Sequence, residues 1–175
     1  MGNINEKSLS YELNIYTDGM VDPHETCVEK DFKNLDHPEY SSQSDKFIHL
    51  ASTYYLGKNG KKCFKKAAEF YQKAVELNSS HAMYHLGYMY YHGIGVNRDV
   101  DKTFLLCENA NNLGNSCAMY QLGVIYNERL GTEKAMPYFE KSAICGNSDA
   151  MFELGKIYQQ YGFYKNTPKA LSLFN

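Results

Sequence analysis

Apolar and polar positions follow one pattern through most of this chain, and the pattern returns about every 36 residues. Each copy pairs a Leu and a small residue with a Tyr three positions further on. The copies are 36, 36 and 32 residues apart: Leu50-Ala51 with Tyr54, Leu86-Gly87 with Tyr90, Leu122-Gly123 with Tyr126, and Leu154-Gly155 with Tyr158. A period of this length fits a two-helix unit, which buries its apolar face only by stacking on neighbouring units.

The second half of each unit has two small residues seven positions apart, on one face of a helix. These pairs are Ala67 and Ala74, Thr103 and Ala110, and Ala135 and Ser142. The pattern predicts first helices, called A, over Ser44–Leu56, Ser80–His92, Ser116–Glu128 and Ser148–Tyr161. It predicts second helices, called B, over Cys63–Leu77, Val100–Leu113, Thr132–Cys145 and a short stub, Pro168–Asn175.

Local signals set the expected ends of these helices. The junctions AVELNSSHA, ANNLGNSCA and SAICGNSDA predict Asn or Gly at the C-cap of each B helix and Ser at the next N-cap. Pro137 falls inside a predicted helix and is expected to bend it or to shift its start.

The segment from Ala82 to Ala118 resembles the Sel-one-like repeat, a relative of the tetratricopeptide repeat. Its mark is the loop Gly93-Ile94-Gly95-Val96, followed by Asp99 and Lys102. The first and third units depart from this loop, so its structural role is in question there. The resemblance covers about residues 45–175 and implies an all-α, right-handed α-solenoid of antiparallel helix pairs, with about three and a half repeats.

The resemblance also implies a function, because members of this family usually act as adaptors that assemble other proteins. In the related tetratricopeptide fold the A helices line the concave side. Projecting that arrangement onto this chain predicts these partner-binding residues: His81, Tyr84, Tyr88, Tyr91, His92, Tyr120, Val124, Asn127, Glu128, Phe152 and Lys156. Tyr84, Tyr120 and Phe152 recur in register and are also expected to pack between units, so Tyr88, Tyr91 and Asn127 are the clearer candidates.

The sequence predicts no catalytic, cofactor or metal site. His81, His85 and His92 share a helix face, but the metalloprotease pattern is missing, so they are expected to be exposed surface residues. The cysteines are Cys27, Cys63, Cys107, Cys117 and Cys145, an odd number without a regular spacing, which favours buried free thiols and an intracellular, cytoplasmic protein. No apolar run is long enough for a membrane helix, and no signal peptide is recognised.

The N-terminal segment, residues 1–44, lacks the repeat pattern and is predicted to be a partly ordered arm. Residues 1–45 carry ten acidic side chains against three lysines, whereas residues 46–175 carry fifteen Lys or Arg against ten acids. Such an arm could mask part of the basic solenoid, or it could be a solvated tail, and the sequence leaves both open.

Two other function classes stay open beside the protein-binding adaptor. A nucleic-acid-binding repeat would use the cluster Lys58, Lys61, Lys62, Lys65 and Lys66, although no aromatic track accompanies it. A hydrolase, as reported for some secreted family members, would need a nucleophile and base that are not recognised here.

The apolar stub is expected to dock on its own unit with weak self-association.

Overall fold

The computed structural model describes residues 42–58 and 60–160, and these residues form seven α-helices and no strand. The helices are α1 (Gln43–Leu56), α2 (Phe64–Glu76), α3 (Ser80–His92), α4 (Val100–Asn112), α5 (Ser116–Leu130), α6 (Thr132–Ile144) and α7 (Ser148–Gln160). Odd-numbered helices are the A helices and even-numbered ones the B helices. Each helix packs mainly on its neighbours in the chain, and the result is an α-solenoid. Unit one contains α1 and α2, unit two α3 and α4, unit three α5 and α6, and α7 begins unit four.

The predicted stub, residues 168–175, and most of the predicted arm lie outside the described residues. Residues 42–44 of that arm belong to the start of α1. The Asp45 amide donates to the Ser42 hydroxyl at 3.1 Å, and the Ser42 amide donates to the Asp45 carboxylate at 3.0 Å. This reciprocal pair satisfies amides that a helix start leaves unpaired, so α1 begins one residue before the predicted Ser44.

The junctions between units share one hydrogen-bonded turn. Asn78, Gly114 and Gly146 have positive φ angles of 61°, 81° and 85°. The amide after each of them donates to the carbonyl oxygen five residues earlier, from Ser79 to Ala74 at 3.2 Å, from Asn115 to Ala110 at 3.0 Å and from Asn147 to Ser142 at 3.1 Å. These are Schellman turns, in which the Asn or Gly stands one position after the C-cap rather than at it.

The residue that closes each turn also caps the next helix. Ser79 accepts from the Ala82 amide, Asn115 from the Ala118 amide and Asn147 from the Ala150 amide. A Ser N-cap is therefore confirmed before α3 only. Before α5 and α7 the prediction of Ser was wrong, because the Asn side chain one position earlier reaches the amide instead.

The A-to-B loops of units one and two begin and end in the same way despite different sequences. Gly57 and Gly93 both have φ 71°, and in each unit an amide at the start of the B helix donates to the repeated Tyr at 2.9 Å: Cys63 to the Tyr54 carbonyl and Asp99 to the Tyr90 carbonyl. Unit three has no such loop, because α5 continues to Leu130 and α6 starts at Thr132. The loop sequences of units one and three both differ from that of unit two. In unit three the difference removes the loop, whereas unit one keeps the hydrogen bond from the start of its B helix to the repeated Tyr.

The second glycine of the unit-two loop packs on the preceding unit. Gly95 has φ 68°, and a Cβ there would lie 2.4 Å from the carbonyl carbon of Phe64 at the start of α2. Backbone cannot move aside as a flexible side chain can, so only glycine fits this position. The loop therefore fixes the contact between units one and two.

Small residues bring the two helices of each unit together. A Cβ on Gly87 would lie 3.2 Å from the Cys107 sulfur, and one on Gly123 would lie 2.6 Å from the Phe139 ring. The buried Thr103 hydroxyl donates to the Gly87 carbonyl oxygen at 3.1 Å. Close helix approach thus explains why these glycines stand inside helices.

The apolar core runs through the stack without a break between units. One buried cluster joins α1, α2 and α3, the next joins α3, α4 and α5, and a third joins α6 and α7. Tyr126 of α5 packs against both the second and the third cluster. Pro137 lies in the second turn of α6, and the helix still starts at the predicted Thr132. Of the two effects expected of Pro137, a bend or a shifted start, the shift does not occur.

The cysteines are only partly as predicted. Cys107, Cys117 and Cys145 are free thiols, but only Cys107 is buried, and burial raises its pKa to about 12. Cys145 is exposed, since it follows the last residue of α6. Cys63 is buried but disulfide-bonded, so the prediction of a free thiol was wrong for it.

Candidate partner-binding face

Three aromatic side chains stand close together in the last two turns of α3. The His92 ring centroid lies 4.3 Å from that of Tyr88 and 4.9 Å from that of Tyr91. Both tyrosines are partly buried, and His92 is exposed. The four-residue spacing of Tyr88 and His92 puts them on one side of the helix. Tyr88, Tyr91 and His92 are called the α3 aromatic cluster below.

The α3 aromatic cluster is held by residues from outside its own helix. The Tyr91 hydroxyl donates to the Glu128 carboxylate of α5, in the next unit. Arg98, from the loop after α3, lies with its guanidinium carbon 5.7 Å from the Tyr91 ring centroid, and its Nε donates to the Tyr91 carbonyl oxygen at 3.0 Å. The cluster therefore depends on the stacking of two units, which brings α3 and α5 into direct contact.

The side chains of the cluster are uncharged at neutral pH. Burial raises the pKa of Tyr88, and burial and the hydrogen bond to Glu128 raise the pKa of Tyr91. Burial lowers the pKa of His92, and the Arg98 charge acts in the same direction. The cluster thus presents aromatic faces and neutral polar groups, with one carboxylate and one guanidinium at its edge.

Three of the predicted partner-binding residues lie mainly in the packing between helices. Tyr84 packs against the buried cluster that α3, α4 and α5 share, and burial raises the pKa of Tyr84 well above its usual value. The Tyr120 ring is 5.8 Å from Phe139 of α6, and burial raises its pKa to about 12. Val124 packs on the core of α6 and α7. Only part of the surface of each of these side chains is therefore accessible to a partner.

The remaining predicted residues lie further along the A helices. Asn127 is exposed, but its side-chain oxygen accepts from the Thr132 hydroxyl at 2.9 Å across the short junction of unit three. Phe152 on α7 is 54% exposed, although packing between units was expected for it. The Lys156 ammonium lies 5.2 Å from the Phe152 ring centroid and 2.6 Å from a Glu153 carboxylate oxygen. These two residues therefore form a second exposed group, separate from the α3 aromatic cluster.

The histidines do not behave alike. His81 is partly buried and His92 exposed, but His85 is 7% exposed and its ring stacks on Tyr71 of α2 at 5.1 Å. Burial and, to a smaller extent, His81 lower the pKa of His85 to about 3. The prediction of an exposed histidine was wrong at position 85, because that position faces α2 rather than solvent. In the described part, no group of His, Cys, Asp or Glu is arranged to hold a metal ion.

Sequence reasoning missed two features of this region. Arg98 was not selected, although its place in the loop that follows α3 brings it back onto Tyr91. The residue before each Leu-small pair was also overlooked: it is polar in all four units, as His49, His85, Gln121 and Glu153. Two of these are buried, and the Gln121 amide nitrogen has no hydrogen-bond partner among the described residues. Comparing the residues at each equivalent position of the four units would have found this polar position.

Comparison with known proteins agrees with this architecture. A protective antigen of uropathogenic Escherichia coli strains, which displays an SLR fold, is 29% identical with a TM-score of 0.68, covering 76% of this chain and 30% of that one. A Sel1 repeat protein from Oxalobacter formigenes is also 29% identical with a TM-score of 0.66, covering 74% of this chain and 56% of its own. The chain thus spans less than two thirds of either structure. No curated protein matches it.

None of the described helices has the length and apolarity needed to cross a membrane. The Sel1 repeat profile matches residues 48–79, 80–115, 118–147 and 148–175. These four tandem matches cover most of the chain; the first three follow the helix pairs described above, and the fourth begins with α7. The chain therefore belongs to the Sel1 repeat family.

Proposed function

We propose that this chain is a non-catalytic adaptor that binds a protein or peptide along the concave face of its A helices. The observation that carries the proposal is the α3 aromatic cluster, because it puts Tyr88, Tyr91 and His92 at the surface, oriented by contacts from two units. Tyr side chains give large contact areas at low entropic cost and also offer a hydroxyl. Sel1 repeats commonly serve as protein-interaction scaffolds, which supports the same function.

The direct contact of α3 with α5 supports a concave A side. In a curved stack the helices on the inner side approach each other more closely than those on the outer side. Within the described residues no two B helices make a comparable contact. A partner in the groove would meet the α3 aromatic cluster first, then Glu128, and then Phe152 and Lys156 on α7.

A test needs a defined probe, since the natural partner is not known. Peptides are selected on the full chain from a random library displayed on phage, and the tightest binder becomes the probe. The variant Tyr91→Ala, His92→Ala should weaken binding of this peptide by about 1–3 kcal/mol in total. The matched control is Leu105→Ala, which removes a side chain that is 61% exposed on the B helix α4.

Thermal unfolding of both variants completes the test. A small change in unfolding temperature together with a large loss of binding supports a contact role for the cluster. If Leu105→Ala weakens binding as much, or if the cluster variant loses stability in proportion to binding, the A face is not the binding surface.

A nucleic-acid-binding role has one observation in its favour. Lys58, Lys61 and Lys65 are exposed together around the loop and first turn of unit one. They are confined to one end of the stack, however, and the aromatic cluster is on the next unit. Titration of the full chain with poly(U) RNA separates the two functions, because backbone binding would weaken steeply with added salt.

A further inference from the structure

Charge is distributed unevenly along the described solenoid. Unit one, residues 42–79, carries seven lysines against three acidic residues. Residues 80–160 carry six Lys or Arg against eight acidic residues. The positive charge of the repeats is thus concentrated at the N-terminal end, whereas residues 1–41, which lead directly into α1, carry nine acidic residues against three lysines.

Two lysines of unit one lie over a row of aromatic rings. Tyr54 stacks on Phe70 at 5.6 Å, and Phe70 stacks on Phe47 at 6.3 Å. The Lys66 ammonium lies 5.5 Å from the Tyr54 ring centroid, and the Lys73 ammonium lies 5.0 Å from that of Phe70. Cations over aromatic faces keep their heads at the surface, where an acidic segment can meet them.

This row is the face on which a preceding unit would stack. One period later, Met83 and Leu106 occupy the positions of Phe47 and Phe70, and they share their cluster with Val75 of unit one. The described residues contain no unit before α1, and the rings of unit one are only partly buried within them. Solenoids need a terminal cap that covers such a face and is polar on its outer side.

We propose that residues 1–41 dock on this end of unit one and act as its cap, with their carboxylates on the lysines and their apolar residues on the aromatic row. The segment has both components: its acidic residues, and Leu9, Tyr11, Leu13, Ile15, Phe32 and Leu35. Helix α1 has 14 residues, about 21 Å at 1.5 Å per residue, so about seven extended residues could run from Ser42 to the lysines at its far end.

An occupant from the same chain is favoured over a separate acidic partner. A segment joined directly to α1 has an effective concentration on the order of millimolar at this surface, which a free ligand rarely reaches. The contact also differs in place from the α3 aromatic cluster, so it can be present whether or not the proposed A-face function is correct.

Hydrogen exchange of the full chain tests the docking. Residues 1–41 should exchange more slowly in the full chain than in a synthetic peptide of the same sequence, independently of protein concentration. Reversing two exposed lysines, Lys61→Glu with Lys65→Glu, should speed exchange in this segment by roughly tenfold. The control Lys134→Glu with Lys141→Glu, on the exposed side of α6, should leave it unchanged.

A second reversal checks that charge pairing is the cause. Adding Glu25→Lys and Glu29→Lys to the Lys61→Glu, Lys65→Glu variant should restore slow exchange. Exchange at the rate of the free peptide in the wild type would overturn the proposal, as would equal effects of the two lysine pairs. Poly(U) RNA binding the wild type as tightly as the Glu25→Lys, Glu29→Lys variant would also overturn it, since the lysines would then be open to nucleic acid.

Discussion

Units two and three share the same frame of paired helices but differ in the loop between the helices and in the residues at the end of the A helix. Both have a buried Leu-small pair, a close contact between their A and B helices, and a Schellman turn into the next unit. Unit two adds a loop with Gly95 against the preceding unit, a buried His85 and the α3 aromatic cluster. Unit three has a single residue between its helices, a buried Gln121, and Asn127 and Glu128 where unit two has Tyr91 and His92 one period earlier.

The comparison separates positions that build the solenoid from positions that are free to vary. The buried Leu of the Leu-small pair recurs as Leu86, Leu122 and Leu154, because a change there opens a cavity or forces the helices apart. Positions at the end of the A helices change from aromatic to polar without altering the stack. Surface positions that vary between units while the buried positions repeat are the ones that can make binding selective.

The largest expected effect concerns the loop that only unit two possesses in this form. Gly95→Ala places a methyl group against the Phe64 backbone and should destabilise the chain by about 3 kcal/mol or more. The control is Gly114→Ala, at φ 81° with open space around it, which should cost only about 1 kcal/mol. Chemical denaturation measures both, and equal losses would show that the loop does not fix the packing of units one and two.

The next prediction concerns how stability depends on pH, and it compares His85 of unit two with Gln121, which has the same position in unit three. The pKa of His85 is about 3 in the folded chain and about 6.5 when unfolded, so the unfolded state binds the extra proton first as pH falls. The stability that depends on neutral His85 is fully present above about pH 6.5, and it is lost as the pH falls from there to about pH 3. Between pH 7 and pH 5 the loss from this residue should be about 2 kcal/mol.

His85→Gln gives unit two the residue of unit three at this position. Denaturation of the wild type and the variant at pH 7 and pH 5 isolates the contribution of His85, because the other groups are common to both. The pH dependence should fall clearly in His85→Gln and much less in His92→Gln, because the His92 ring is exposed and its pKa is lowered less. A full pH dependence in His85→Gln would mean that other groups cause it.

The smallest effect on stability is expected at the contact between the two units. Tyr91→Phe removes the hydroxyl that donates to Glu128 but keeps the ring, so the loss should be about 0.5–1 kcal/mol. The double variant Tyr91→Phe, Glu128→Gln should lose little more than Tyr91→Phe alone, because the hydrogen bond is already absent. Additive losses would show that the two side chains act independently.

The sequence predicted the repeating frame and its family well, because period, small residues and turn signals are local or strictly repeated. It did not predict which side of α3 position 85 faces, since His81, His85 and His92 look equivalent on a helical projection and only the Tyr71 ring distinguishes them. Arg98 was missed for a related reason, because a loop residue meets Tyr91 only after the chain has turned. The proposed binding role of the A face depends on a partner that the sequence does not contain.

The central claim is that the concave face of the A helices binds the partner. NMR shift mapping of the selected peptide on the full chain tests it most directly. The account predicts the largest changes in the Tyr88, Tyr91 and His92 rings, smaller ones at Val124 and Phe152, and none at Leu105 on the B side. Changes centred on Leu105, with the α3 aromatic cluster unaffected, would contradict it.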